Sequence, residues 1–127
     1  MEKLTQREEY VMQLLWRLKE AVVKDIIQEY PDPKPPYTTV SSIIRILESK
    51  GYVSHKAYGK THVYHPLVTK GEFRKHSFGR LLKEYFGGSY QQIVSFMVEE
   101  ENLAEAEIEQ IKNIISEIDG REEEDHG

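Results

Sequence analysis

The sequence predicts a mainly α fold with a small β hairpin, in which a helical N-terminal module ends in the hairpin and a second helical region follows. Three observations predict it. Apolar residues recur at helical spacing in three successive short stretches before residue 50. Strand-favouring residues then flank Tyr58-Gly59-Lys60. Helical spacing returns after residue 69 and is interrupted at Gly87-Gly88-Ser89. These breaks set a first domain over 1–68, a helical region over 69–119 and an acidic tail over 120–127 that is expected to be disordered.

The first helix opens at Thr5-Gln6-Arg7-Glu8, the form of a capping box: the Thr5 hydroxyl takes an orphan amide of the first turn and Glu8 reaches back. Val11, Leu14, Leu15 and Leu18 then share one face. Glu20-Ala21-Val22 reads as a short extended break, and a second helix carries Val23, Ile26, Ile27 and Tyr30 on one side. The prolines of "PDPKPP", Pro31 to Pro36, remove amide donors and end that helix. A third helix starts near Thr38. At about 100° per residue, Val40, Ile43, Ile44 and Leu47 fall together, and Thr38, Ser41, Ser42, Arg45 and Ser49 fall opposite. Gly51 is placed to close it in a left-handed cap. "YVSHKAYGKTHVYHPL" supplies two strands around a turn at Tyr58-Gly59-Lys60, and Pro66 stops the second.

Beyond the hairpin a long helix is expected from Thr69 to Phe86, a short one from Tyr90 to Val98, and a third from Leu103 to Ile118. The last carries a narrow seam of Ile108, Ile111, Ile115 and Ile118. No partner for so acidic a helix is evident within the N-terminal module. The seam, with Phe86 and Leu103, therefore points to a homodimer.

Composition bounds the function. The net charge is −5 over 127 residues, but it is unevenly spread. Residues 34–80 hold nine Lys/Arg against Glu48 and Glu72, a net +7, whereas residues 81–127 hold three basic against thirteen acidic residues, a net −10. A basic centre favours an anionic partner for that part alone. There is no cysteine, which excludes disulfides, thiolate metal sites and a Cys nucleophile. No apolar run approaches the ~18 residues that a membrane span needs, and the polar "MEKLTQREEY" start has no signal-peptide core, so no membrane partner and a cytoplasmic location are expected.

Three helices followed by a hairpin is the order of a winged helix-turn-helix domain. There the third helix enters the major groove, its inner face packed on the first two helices and its outer face carrying short polar groups. The polar face of this third helix fits that use, and the hairpin becomes a wing whose tip is flanked by Lys56 and Lys60. The residues expected on double-stranded DNA are Thr38, Thr39, Ser41, Ser42, Arg45, Ser49, Lys50, Lys56 and Lys60. The competing reading is a winged-helix protein–protein interaction module that never touches DNA. A solvated helix face would show the same Ser and Thr content, and it is the combination of helix order, hairpin, charge and face that favours DNA.

No enzyme site is expected. Gly87-Gly88 stands alone between helices, and no nucleophile–base pattern rises above chance. Neither cofactor nor metal is expected. His55 and His62 can neighbour each other across the hairpin, but His62 and His65 point to opposite faces, and no acid lies close in sequence. Met12, Trp16, Phe78, Phe86 and Phe96 read as core.

"LTQREEYVMQLLW", "TTVSSIIRILESKGYV" and "GKTHVYHPL" resemble the penicillinase-repressor and methicillin-resistance-repressor family of bacterial transcription regulators, and "FGGSYQQIVSF" and "ENLAEAEIEQIKNII" resemble its dimerisation region. The resemblance runs from about Leu4 to Ile118. It implies a homodimeric repressor with a winged helix and a C-terminal helical dimerisation region, bound to a dyad-symmetric operator. Three features depart from the family. Its members often carry Arg-Leu late in the third helix, where Arg45 here comes one place earlier and Ile46 fills the slot. Antibiotic-responsive members lose repression when a regulatory peptidase cuts an Asn-Phe bond, and the matching pair here is Ser95-Phe96. The copper-responsive branch uses a C-terminal cysteine cluster that this chain lacks.

Overall fold

Thr5 and Glu8 close the capping box that their spacing predicts. The Glu8 amide donates to the Thr5 hydroxyl at 3.2 Å and the Thr5 amide to the Glu8 carboxylate at 3.0 Å. The structure is a computed structural model and describes residues 1–101 and 104–126, side chains excepted at 101, 115 and 118–126. The elements run α1 (Gln6–Leu18), α2 (Val23–Gln28), α3 (Tyr37–Ser49), β1 (Val53–Tyr58), β2 (Thr61–Pro66), α4 (Lys70–Phe86), α5 (Tyr90–Glu101) and α6 (Glu105–His126).

The order of helix, helix, helix and hairpin is the predicted winged helix. Val11, Met12 and Leu15 of α1, Ile26 of α2 and Val40, Ile44 and Leu47 of α3 are fully buried with Tyr52 and Val53. Each such aliphatic side chain contributes roughly 1.5–3 kcal/mol. After α1, Lys19 adopts φ +72° and turns the chain. Ala21 then exchanges two backbone hydrogen bonds with Tyr64, at 2.9 and 2.8 Å. The expected extended break is thus a one-residue third strand on the wing. The α2 helix stops at Gln28, short of Tyr30, and the Lys34 ammonium takes the carbonyls of Gln28 and Tyr30 at 3.1 and 2.8 Å.

Pro36 caps α3, which begins one residue before Thr38. At its end the Gly51 amide donates to the Glu48 carbonyl at 3.0 Å and the Tyr52 amide to the Leu47 carbonyl at 2.9 Å. This is a Schellman cap, with Gly51 at the φ of +82° that the motif needs. In the hairpin Tyr58 pairs with Thr61, leaving Gly59-Lys60 as the turn, and Gly59 takes φ +63° as the first residue of a tight hairpin turn often must. The register pairs His55 with Tyr64 and Ala57 with His62, so the two histidines meet diagonally, their rings stacked at 4.2 Å. His65 pairs with Ser54 on the other face.

The first compact unit covers 1–73, five residues more than the expected 1–68. The reason is packing: the Trp16 indole donates to the Val68 carbonyl at 2.8 Å, and the Phe73 ring lies 5.4 Å from Trp16 and 6.2 Å from Tyr52. The second unit, 74–127, buries Ile93 and Val94 and sets Phe86 edge-on to Phe96 at 5.9 Å. Phe96 is nonetheless 51% exposed, so it is not the core residue its composition suggested. In α6 the helix runs on to His126, through the stretch expected as a disordered tail.

Candidate nucleic-acid interface

The buried stripe of α3 fixes which residues remain outside. Thr38, Ser42, Arg45 and Ser49 are all exposed and follow each other at helical spacing. Thr39 sits half-buried on one flank. Ser41 lies on the opposite flank, towards the wing, and is only 8% exposed. The Ser49 hydroxyl donates to the Ile46 carbonyl at 2.8 Å, which leaves its oxygen free to accept.

Between α3, the start of α2 and the wing is an open cleft of about 490 Å³. Lys24, Arg45 and Lys60 converge on it together with Tyr37, Ser41, Thr61 and Tyr64. Three cations and four hydroxyls around one hollow make an anion-binding surface. The Tyr64 hydroxyl reports the local field. Burial pushes its pKa up first and Glu48 adds to this, while Arg45 pulls it back and Tyr37 raises it slightly, so the phenol stays neutral. Lys24 and Tyr37 escape a reading of the third helix alone, since they reach the cleft from α2 and from the first residue of α3.

Not every expected cation is here. Lys50 points away: its ammonium lies 2.7 Å from the Glu8 carboxylate and 3.2 Å from the Lys3 carbonyl. The side chains of this pair are 18% and 7% exposed, so Lys50 belongs to the capping box of α1 rather than to the outer face of α3. Lys56 is exposed and in the strand alternation shares the face of Val63 and His65, but it does not line the cleft. Of the two wing lysines only Lys60 lines the cleft.

Glu48, expected merely to lie beside the polar face, accepts a hydrogen bond from His55 Nδ1 at 2.6 Å. That contact fastens the wing to α3. Among the described residues no group of three or more His, Asp or Glu is arranged to hold a metal ion.

In the second unit, Phe86, Ile108 and Ile111 are half-buried. Leu103 and the side chains of Ile115 and Ile118 lie outside the described residues. The apolar side chains that stand out are others: Leu81, Tyr85, Phe96, Val98 and Ile114, between 40% and 71% exposed. This exposed set spreads over α4, α5 and α6, which no single-helix pattern reveals.

The family model described as Penicillinase repressor matches residues 4–117. The methicillin resistance regulatory protein MecI of Staphylococcus aureus (strain N315) is 28% identical over 107 residues, covering 84% of this chain and 87% of that protein. The penicillinase repressor of Bacillus licheniformis is 24% identical over 119 residues, with 90% of each chain covered. Among solved structures, the DNA-binding domain of the repressor BlaI aligns with a TM-score of 0.48 and 22% identity over 57% of this chain and 93% of that one.

Proposed function

The chain belongs to the penicillinase repressor family of DNA-binding transcriptional regulators, and on that premise we propose that it is a homodimer that represses transcription from a dyad-symmetric operator. The observation that carries the proposal is the cleft shared by Arg45, Lys24 and Lys60 beside the exposed row Thr38, Ser42, Arg45 and Ser49. The row is short and uncharged except for Arg45, as a helix in a major groove requires. The cleft supports seating a backbone phosphate, which sets the depth and register of that helix. Lys50 has no part in this surface, and Lys56 contributes at most from outside the cleft.

Dimerisation is assigned to the second unit. Its exposed Leu81, Tyr85, Phe96, Val98 and Ile114 need cover, and a second copy supplies it while spacing two winged helices along one face of DNA. A regulatory peptidase remains a proposed partner. Ser95 and Phe96 are both exposed, but they sit inside α5, so cutting between them requires that turn of helix to unwind first. No helix among the described residues is long and apolar enough to cross a membrane, and we place the protein in the cytoplasm with its DNA.

Selection of binding sites from random duplex DNA, followed by titration of the winner at several salt concentrations, tests this reading. The expected result is an inverted-repeat site bound with a steep salt dependence. Recovery of no sequence preference, or an affinity indifferent to salt, refutes it and favours a protein-interaction module.

A further inference from the structure

On the α3 flank away from the wing lies a second recess, of about 500 Å³. That is within the ~300–1,000 Å³ range of small-molecule sites. Its walls are apolar: Tyr10, Tyr30, Pro35, Pro36 and Ile43. The two tyrosine rings meet at 4.9 Å and 56°, an angled aromatic wall facing the prolines. Gln6, Thr39 and Arg7 are its polar groups, and no carboxylate lines it.

Arg7 is the unusual member. It is exposed in the first turn of α1, where the helix dipole disfavours a cation. The described side chains show no ion pair to it, whereas Arg17 is paired with Glu29 at 3.0 Å. Its charge reaches into the recess: burial raises the Tyr30 hydroxyl pKa and Tyr10 adds to this, while Arg7 lowers it. A cation placed against the local helix preference, without a counter-ion and at the mouth of an apolar recess, is a local conflict that marks a site rather than a scaffold.

We propose that this recess binds a small aromatic carboxylate, its ring held between Tyr10, Pro36 and Ile43 and its carboxylate on Arg7, and that occupancy weakens operator binding. The second half rests on the DNA-binding reading above. Pro36 caps α3, and Thr39 and Ile43 lie on it. A bound anion therefore adds negative charge against the helix that must approach phosphates, and by linkage DNA and ligand oppose each other equally.

The test uses 2-naphthoate and its neutral counterpart 2-naphthamide, titrated calorimetrically into the full chain. Naphthoate is expected to bind once per chain, at least about tenfold tighter than the amide, the worth of a charge-assisted contact. Arg7→Met should abolish that preference, and Ile43→Trp, which fills the recess, should abolish both. Arg7 is exposed, so a melt matching wild type shows that its variant is folded and can carry the test if Ile43→Trp is not. Saturating naphthoate should weaken wild-type operator binding by about fivefold or more. Absence of binding, equal binding of acid and amide, a preference that survives Arg7→Met, or an unchanged operator affinity overturns the inference. A protein that binds its operator yet ignores naphthoate refutes this inference alone, whereas one that binds no DNA refutes the repressor reading.

Discussion

Replacing Lys50 with Met separates a lysine of the fold from a lysine of the DNA surface. The Lys50 ammonium lies 2.7 Å from the Glu8 carboxylate, and the pair is 18% and 7% exposed. Removing one partner of a buried pair costs ~3–5 kcal/mol. Here Glu8 keeps the Thr5 amide and Lys50 is partly wet, which brings the expected loss to about 2 kcal/mol. In a domain of this size that lowers Tm by about 10 °C. The Arg17–Glu29 pair, 62% and 36% exposed, is the control, and Arg17→Met should cost less than ~0.5 kcal/mol. Acid makes the same point. Burial pushes the Glu8 carboxyl up, but Lys50 and the Thr5 amide and hydroxyl outweigh it and hold the pKa below the ordinary 4.5. A depressed folded pKa stabilises above the unfolded value, and that stability is lost as pH falls through the folded one. Lys50→Met should thus also move acid unfolding to higher pH. Circular dichroism melts at neutral and acid pH, together with operator titrations across salt, provide the measurements. A variant that melts with wild type but shows a flattened salt dependence would return Lys50 to the DNA and refute the reasoning.

Lys60→Ala should flatten the slope of log K against log salt by up to about 1.8 units for a dimer with two wings. Identical slopes in operator titrations would remove the wing from the backbone. Arg45→Ala should lose ~1–3 kcal/mol on the operator and less on random duplex; equal losses in parallel titrations would make Arg45 a phosphate clamp within the cleft. A fragment of residues 1–80 should stay folded and monomeric by sedimentation, with weakened operator binding. One ending at Pro66 loses the Val68 acceptor and the Phe73 ring, and its Trp16 emission should shift to the red.

What the sequence revealed was what local chemistry decides. The Thr5–Glu8 box, the prolines before α3, Gly51 and the Gly59 turn each act within a few residues, and all lie where the spacing put them. What it hid depends on contacts between distant parts of the chain. Lys50 reads as part of a basic helix end until Glu8 is brought beneath it. Ser41 shares the polar arc of α3, yet it is nearly buried at the floor of the cleft between α3 and the wing. Glu48 and His55 meet only because the Schellman cap aims β1 back along the helix. Lys24 and Tyr37 join Arg45 only once the cleft forms. Helical periodicity says which face is polar, but not how deeply each edge of that face is buried.

The Ala21–Tyr64 exchange makes the wing a cantilever. Its root is clamped from three sides: by Ala21 through two backbone hydrogen bonds, by the Tyr52 carbonyl that accepts from the Leu67 amide at 2.8 Å, and by Glu48 through His55. Beyond His55 and Tyr64 only about three residues per strand project, a free span of roughly 10 Å at ~3.3 Å per residue. So short a beam bends little along its length, which leaves the exposed side chains of Tyr58, Lys60 and Thr61 as its adjustable part. The direction in which the beam points is set at its root, by Ala21 in the four-residue gap between α1 and α2, rather than at its tip.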